Sequence, residues 1–240
     1  LFVTKDFSFK NFKKKIKSES VDIIFAIGWR RILEKKIIDY ALIKSFVMHD
    51  SLLPKNRGFA PLNWAIINNE KKTGVSLIAI DKLVDTGNIY LQDSVMIKKK
   101  DDINTLNSKI LKIYTKILIK FFRNIEFYLR NSINQKKIPK NFNPKRRPKH
   151  GLINWNDTSK NILNLVRALK KPWPGAYFLY KDKIVFVWKI RIRKKNREFK
   201  KGLGELDIKN KRYFVNCKNN LLEISDFSVK KINNKIKKIY

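Results

Sequence analysis

The chain has 240 residues, 43% of them apolar, which excludes a disordered chain and allows one large domain or two small ones. Lys and Arg number 55 against 20 Asp and Glu, a formal net charge of +35. A single Cys excludes a disulfide framework and a Cys-rich zinc site, and no apolar run is long enough to span a membrane, so a cytoplasmic protein without membrane insertion is expected.

The charge by itself names no partner. Lys occurs 43 times, Ile 32 and Asn 24, and all three are encoded by A/T-rich codons, so compositional drift produces this balance on any scaffold. Arg, which grips phosphates and bases bidentately, occurs only 12 times.

In chain order, residues 21–27 (VDIIFAI) form a short apolar run closed by Gly28 and predict a buried strand of a parallel sheet. Residues 33–43 have helical spacing, and 45–48 predict a second strand that runs into His49. Pro54, Arg57 and Gly58 mark a loop, and 61–69 a helix with Pro61 in its first turn. Residues 75–80 predict a strand, Asp85-Thr86-Gly87 a turn, and 89–97 a further strand. A long helix opens at Asp101 and Asp102, with an apolar stripe at 103, 106, 110, 113, 114, 117, 118, 121, 125, 128 and 129. A cation-rich stretch with three prolines follows as a linker, then a helix over 159–169 capped by Asp157 or Thr158. Short alternating segments at 184–192, 203–208, 213–217 and 221–227 predict a small β-barrel, with Cys217 as a buried apolar residue. The first part supplies fewer strands than a parallel α/β sheet needs, so further βα units are expected ahead of Leu1.

Ligands of open α/β sheets sit beyond the carboxyl ends of the strands. His49 and Asp85 both stand in loops that follow predicted strands, and a His near a carboxylate has the makings of an oriented general base. That pair alone is a weak signal. Gly28 alone is no dinucleotide fingerprint.

The wording around the pair is more specific. HDSLLPKNRG at 49–58, APLNWAI at 60–66, TGVSL at 73–77 and VDTGNI at 84–89 resemble the formyltransferase family that uses N10-formyltetrahydrofolate. RRPKHGLINW at 146–155, LVRALKKPWPGAYF at 165–178 and KIVFVWKIRI at 183–192 resemble its linker and small C-terminal domain. The resemblance implies a Rossmann-like catalytic domain over 1–132, a linker over 133–150 and an OB-like β domain over 151–240. It implies transfer of a formyl group to a primary amine, with His49 as general base, Asp85 as the group that orients it, and no metal. Ile27, Gly28, Trp29 and Arg30, with Asp81 and Val84, would meet the folate. Ser51, Arg57, Arg146 and Arg147 are candidate acceptor contacts, against simpler readings of Ser51 as a turn residue, Arg57 as a loop brace and the linker arginines as solvated charges.

Three positions depart from the family pattern: Val47 stands where an Asn amide would reach the formyl oxygen, Asp50 where a small residue or Pro is usual, and Asn56 where an aromatic is common. The APLNW and RRPKHG runs resemble the branch acting on nucleotide-linked amino sugars for surface polysaccharide, including the lipid A aminoarabinose pathway. The alternative acceptor is methionyl-tRNA, which would give the basic charge a use. Val47 also admits a degenerate relative that binds folate or a polyanion without turnover, and the basic C-terminal part admits an RNA clamp. The sequence leaves the oligomeric state open.

Overall fold

The computed structural model describes residues 8–16, 19–29, 31–135, 142–194, 202–209 and 212–232. The elements are α1 (Phe9–Ile16), β1 (Ile23–Ile27), α2 (Lys35–Ile38), β2 (Lys44–His49), α3 (Pro61–Ile67), β3 (Lys72–Ala79), β4 (Ile89–Met96), α4 (Ile103–Arg123), α5 (Ile125–Arg130), a 3-10 turn (Pro148–Gly151), α6 (Ser159–Ala168), β5 (Ala176–Tyr180), β6 (Lys183–Arg193), β7 (Leu206–Lys209), β8 (Arg212–Asn216) and β9 (Leu221–Lys231). They fall into two compact units, one of residues 1–58, 74–94 and 110–142, the other of 59–73, 95–109 and 143–240.

The first unit holds a sheet of order β1-β2-β3-β4. Strands β1 and β2 are parallel, with Phe25 opposite Phe46, but β2 and β3 are antiparallel, with His49 opposite Ser76 and Phe46 opposite Ala79. The sheet is therefore mixed where the apolar runs predicted parallel strands, because a short buried run has the same composition in either orientation. The helix expected over 33–43 shrinks to the single turn α2. Leu42 N–H donates to the Val21 carbonyl and Ile43 N–H to the Asp22 carbonyl, so their donors serve the neighbouring chain instead of a helix.

Along α4 the predicted stripe is buried at Ile103, Leu106, Ile110, Ile113, Ile117 and Phe121, but the helix breaks at Asn124 and α5 buries no residue, so the expected continuation through 125, 128 and 129 does not hold. Asp102 Oδ1 accepts from the Asn104 and Thr105 N–H groups at 3.0 Å and caps the start of α4. Phe25 stacks on Phe46 at 5.4 Å, and the Phe121 ring meets both edge-on at 5.8 and 5.3 Å.

In the second unit α6 packs beside α3, where Asn63 Nδ2 donates to the Ala168 carbonyl at 2.7 Å. Thr158 caps α6, its hydroxyl accepting from Asn161 N–H at 3.2 Å. The sheet runs β5-β6-β9-β8-β7 and is antiparallel throughout. Among the described residues it does not close, which corrects the expected barrel. Ile153 N–H donates to the Tyr177 carbonyl at 2.7 Å on the outer side of β5. Strand β5 itself was hidden in the sequence by the Pro-Gly turn that precedes it. Cys217 is fully buried, as its place in the alternation predicts. Among the described residues no helix is long and apolar enough to cross a membrane.

Candidate active site

His49 ends β2 and is 8% exposed. Strand β3 leads away from it, because His49 stands opposite Ser76 and the following residues of β3 pair back down β2. The turn at 80–88 nevertheless brings Asp85 back, and Asp85 Oδ2 lies 3.5 Å from His49 Nδ1. Asp85 adopts φ +57, a left-handed conformation that Asp tolerates better than most residues but at a cost of about 1 kcal/mol. Its Oδ2 also accepts from Gly58 N–H at 2.9 Å. Gly87 makes the turn possible, since a Cβ there would lie 1.9 Å from the Ala79 carbonyl oxygen.

The other ring nitrogen, His49 Nε2, lies 2.9 Å from the Asn56 carbonyl oxygen. A neutral imidazole has one N–H and can donate to only one of these two acceptors. Asn56 also has a left-handed backbone, φ +58, at the tip of the loop after His49. That loop is held by side chains: Ser51 Oγ donates to the Lys55 carbonyl at 2.7 Å, Ser76 Oγ donates to the Ser51 carbonyl at 2.6 Å, and Gln92 Nε2 donates to the Leu53 carbonyl at 3.0 Å. Gly74 of the TGVS run lets the neighbouring strand approach, since a Cβ there would lie 2.1 Å from the Asp93 carbonyl oxygen.

The structure thus brings His49, Asp85, Ser51 and Arg57 into one constellation. Ser51 is fully buried and its hydroxyl is used within the turn. Arg57 is 2% exposed; its Nε donates to Gln135 Oε1 at 3.0 Å and its Nη2 to the same oxygen. Burial pushes the Arg57 guanidinium below the ordinary arginine range, and the Asp85 carboxylate pushes it back up. Ile27, Trp29 and Val84 are exposed apolar side chains, 43%, 37% and 48% accessible, and Gly28 between the first two has φ +62. Asp81 is exposed, and its Oδ1 accepts from Lys82 N–H at 2.7 Å. Arg30 lies outside the described residues.

Arg146 and Arg147 belong to the second unit. The Arg146 guanidinium lies over the Trp64 ring at 4.8 Å and donates from Nη2 to the His150 carbonyl at 2.7 Å, and burial pushes it below the ordinary arginine range. Arg147 is exposed, and its N–H donates to His150 Nδ1 at 2.9 Å.

Val47 precedes His49 on the same face of β2 and packs against the buried cluster of Leu53, Ile78 and Ile89. Asp50 accepts a hydrogen bond from the Tyr114 hydroxyl. Burial and the Asp50 charge push the Tyr114 phenol well above the ordinary tyrosine range, so it remains a donor at physiological pH. Sequence reasoning missed Gln135, Tyr114 and the Asn56 carbonyl. Gln135 stands in a polar segment with no periodicity, and a backbone carbonyl leaves no mark in composition. Tyr114 counted only as one apolar position of the α4 stripe. Among the described residues no three His, Cys, Asp or Glu side chains converge as metal ligands would.

Residues 4–122 match the formyl transferase family model and residues 145–237 match its C-terminal domain model. This chain belongs to the formyl transferase family. A similar relative, the "Bifunctional polymyxin resistance protein ArnA" of Wigglesworthia glossinidia brevipalpis, is 44% identical over 174 residues, 71% of this chain and 26% of that protein. A methionyl-tRNA formyltransferase of Caldanaerobacter subterraneus subsp. tengcongensis is 34% identical over 181 residues, 75% of this chain and 58% of that protein. The chain therefore spans only part of both relatives. The N-formyltransferase of Helicobacter canadensis, solved with folinic acid and dTDP-3-aminofucose, shares the formyl transferase fold: TM-score 0.66 at 23% identity, over 85% of this chain and 73% of that one.

Proposed function

We propose that this chain transfers a formyl group from N10-formyltetrahydrofolate to the amino group of a nucleotide-linked amino sugar. The observation that carries the reaction is the His49–Asp85 pair, 3.5 Å apart, with His49 buried and Asp85 partly so, on a formyl transferase fold. The donor supplies an electrophilic formyl carbon and leaves as tetrahydrofolate. The exposed apolar residues Ile27, Trp29 and Val84, with a side-chain-free Gly28, suit a flat pterin ring, and nearby backbone groups suit its polar edge.

Amine attack forms a C–N bond to the formyl carbon while the bond from that carbon to N10 of the folate breaks. The amine must lose a proton and N10 must gain one. His49 Nε2 takes the amine proton, with the amine N–H occupying the place where the Asn56 carbonyl now sits. Asp85 fixes the ring by accepting from Nδ1–H, and the Gly58 N–H holds the Asp85 carboxylate in turn. Val47 offers no donor to the formyl oxygen. Losing such a donor typically costs about 10²–10³-fold in rate, so the pair works here against a handicap or with a donor from the bound acceptor.

The sugar acceptor is supported by the 44% identical relative, by the APLNW and RRPKHG runs, and by the dTDP-3-aminofucose held in the Helicobacter canadensis structure. A second acceptor, methionyl-tRNA, has specific support in the 34% identical relative and the +35 charge. The test offers N10-formyltetrahydrofolate with a panel of nucleotide-linked amino sugars and with methionyl-tRNA, and reads formyl gain by mass spectrometry. Formylated sugar is the expected result. Formylation of the tRNA alone replaces the sugar reading. Folate binding with no product supports the degenerate relative.

A further inference from the structure

Gln135 lies outside the motif and hydrogen-bonds to two of its segments, the Arg57 loop and the 85–87 turn. It is 8% exposed and follows α5 in a segment without regular structure. Its Oε1 accepts from both Nε and Nη2 of the buried Arg57. Its Nε2 donates to the Asp85 carbonyl at 3.1 Å and the Gly87 carbonyl at 2.7 Å. One amide therefore satisfies two donors from the loop that carries Asn56 and Gly58, and two acceptors from the turn that carries Asp85.

That turn has reason to relax if it is released. Asp85 is in the left-handed region, and its carboxylate stays beside His49 only while the backbone keeps that conformation. The Gln135 donation to the Asp85 carbonyl acts on that same backbone unit. We infer that Gln135 is a positioning residue: it sets the distance between Asp85 and His49 by clamping the 85–87 turn to the Arg57 loop. This rests on the formyl-transfer reading for its kinetic consequence, but not for its structural one.

Glutamine is suited to this place because it presents an acceptor and a donor at once. Gln135→Glu separates the two halves. A carboxylate still accepts from Arg57, and more strongly, but it turns an oxygen toward the carbonyls of Asp85 and Gly87. Gln135→Ala removes both halves and leaves Arg57 buried without its acceptor. If Gln135 only braced Arg57, the Glu variant would behave as wild type.

The experiment compares both variants with wild type in steady-state formyl transfer and in ring-nitrogen NMR. The sequence has two histidines, His49 and His150, so the second serves as an internal reference. The expected result is a kcat lower by roughly 10²-fold in both variants with KM within about twofold, the size that small misplacements produce. The His49 ring signals move in both variants while those of His150 stay. Turnover of Gln135→Glu close to wild type, or unmoved His49 signals in a folded variant, overturns the inference. If wild type itself transfers no formyl group, the functional reading fails, and the His49 signals alone decide the role of Gln135.

Discussion

His49 is flanked by two acceptors, the Asp85 carboxylate at Nδ1 and the Asn56 carbonyl at Nε2. Only one of them is a charge, and it is the one that can orient a base through a reaction cycle. Asp85→Asn keeps an oxygen for the Gly58 N–H but removes that charge and permits the wrong ring tautomer. We expect kcat to fall by about 10²-fold or more with melting temperature nearly unchanged, read by paired kinetics and calorimetry. Val47 is the informative departure from the family. It packs on Leu53, Ile78 and Ile89, so Val47→Asn places an amide against apolar neighbours and costs about 1–3 kcal/mol of stability. The same amide would supply a donor for the formyl oxygen, so we expect a higher kcat alongside the lower melting temperature. A gain in neither rate nor folate affinity would show that the oxygen is held elsewhere.

At the scale of elements, the site depends on turns more than on strands. Gly87 faces the Ala79 carbonyl at a distance no Cβ can occupy, so Gly87→Ala must displace the turn that carries Asp85. The expected result is loss of turnover together with a stability loss of about 1–3 kcal/mol, seen in denaturant unfolding. The strand end at Ile27, the α4 stripe as far as Phe121 and the α6 cap at one of two candidates, Thr158, were legible in the sequence, because each follows from local spacing or local hydrogen bonding; His49, expected in the loop after β2, is its last residue. The direction of β3 was not, since antiparallel and parallel buried strands share one composition. The closeness of His49 and Asp85 was legible through the motif around them. Gln135 was not: its partners are an arginine 78 positions earlier and two backbone carbonyls, and contacts of that kind have no sequence spacing. Arg57 had two readings in the sequence, an acceptor contact or a loop brace, and spacing alone shows neither its burial nor its bond to Gln135.

For the molecule as a whole, the strong positive balance means that the few acids carry much of the charge pairing. Asp101 is the clearest case. Burial alone pushes its carboxyl up, but Lys109, the Lys98 N–H and Thr105 together outweigh burial and hold it below the usual carboxylate range. A carboxyl held down in the folded state binds its proton less readily than in the unfolded chain. Its contribution to stability is therefore complete above the unfolded value of about 3.9 and is lost as pH falls through the lower folded value. Denaturant titrations between about pH 2 and 5 should show this acid-side loss, and Asp101→Asn should flatten it, with lower stability at neutral pH. The charge also bears on the acceptor, because a tRNA substrate would make turnover steeply salt-dependent and a sugar nucleotide would not.

The most direct measurement follows N10-formyltetrahydrofolate-dependent formylation of an amino-sugar nucleotide by the protein expressed from its complete reading frame, wild type beside His49→Ala. If the His49–Asp85 pair is the general base of formyl transfer, wild type yields formylated product and His49→Ala loses roughly 10²–10⁴-fold in kcat while still binding folate. A variant that keeps the full rate would contradict this mechanism, because the pair would then have no part in moving the amine proton.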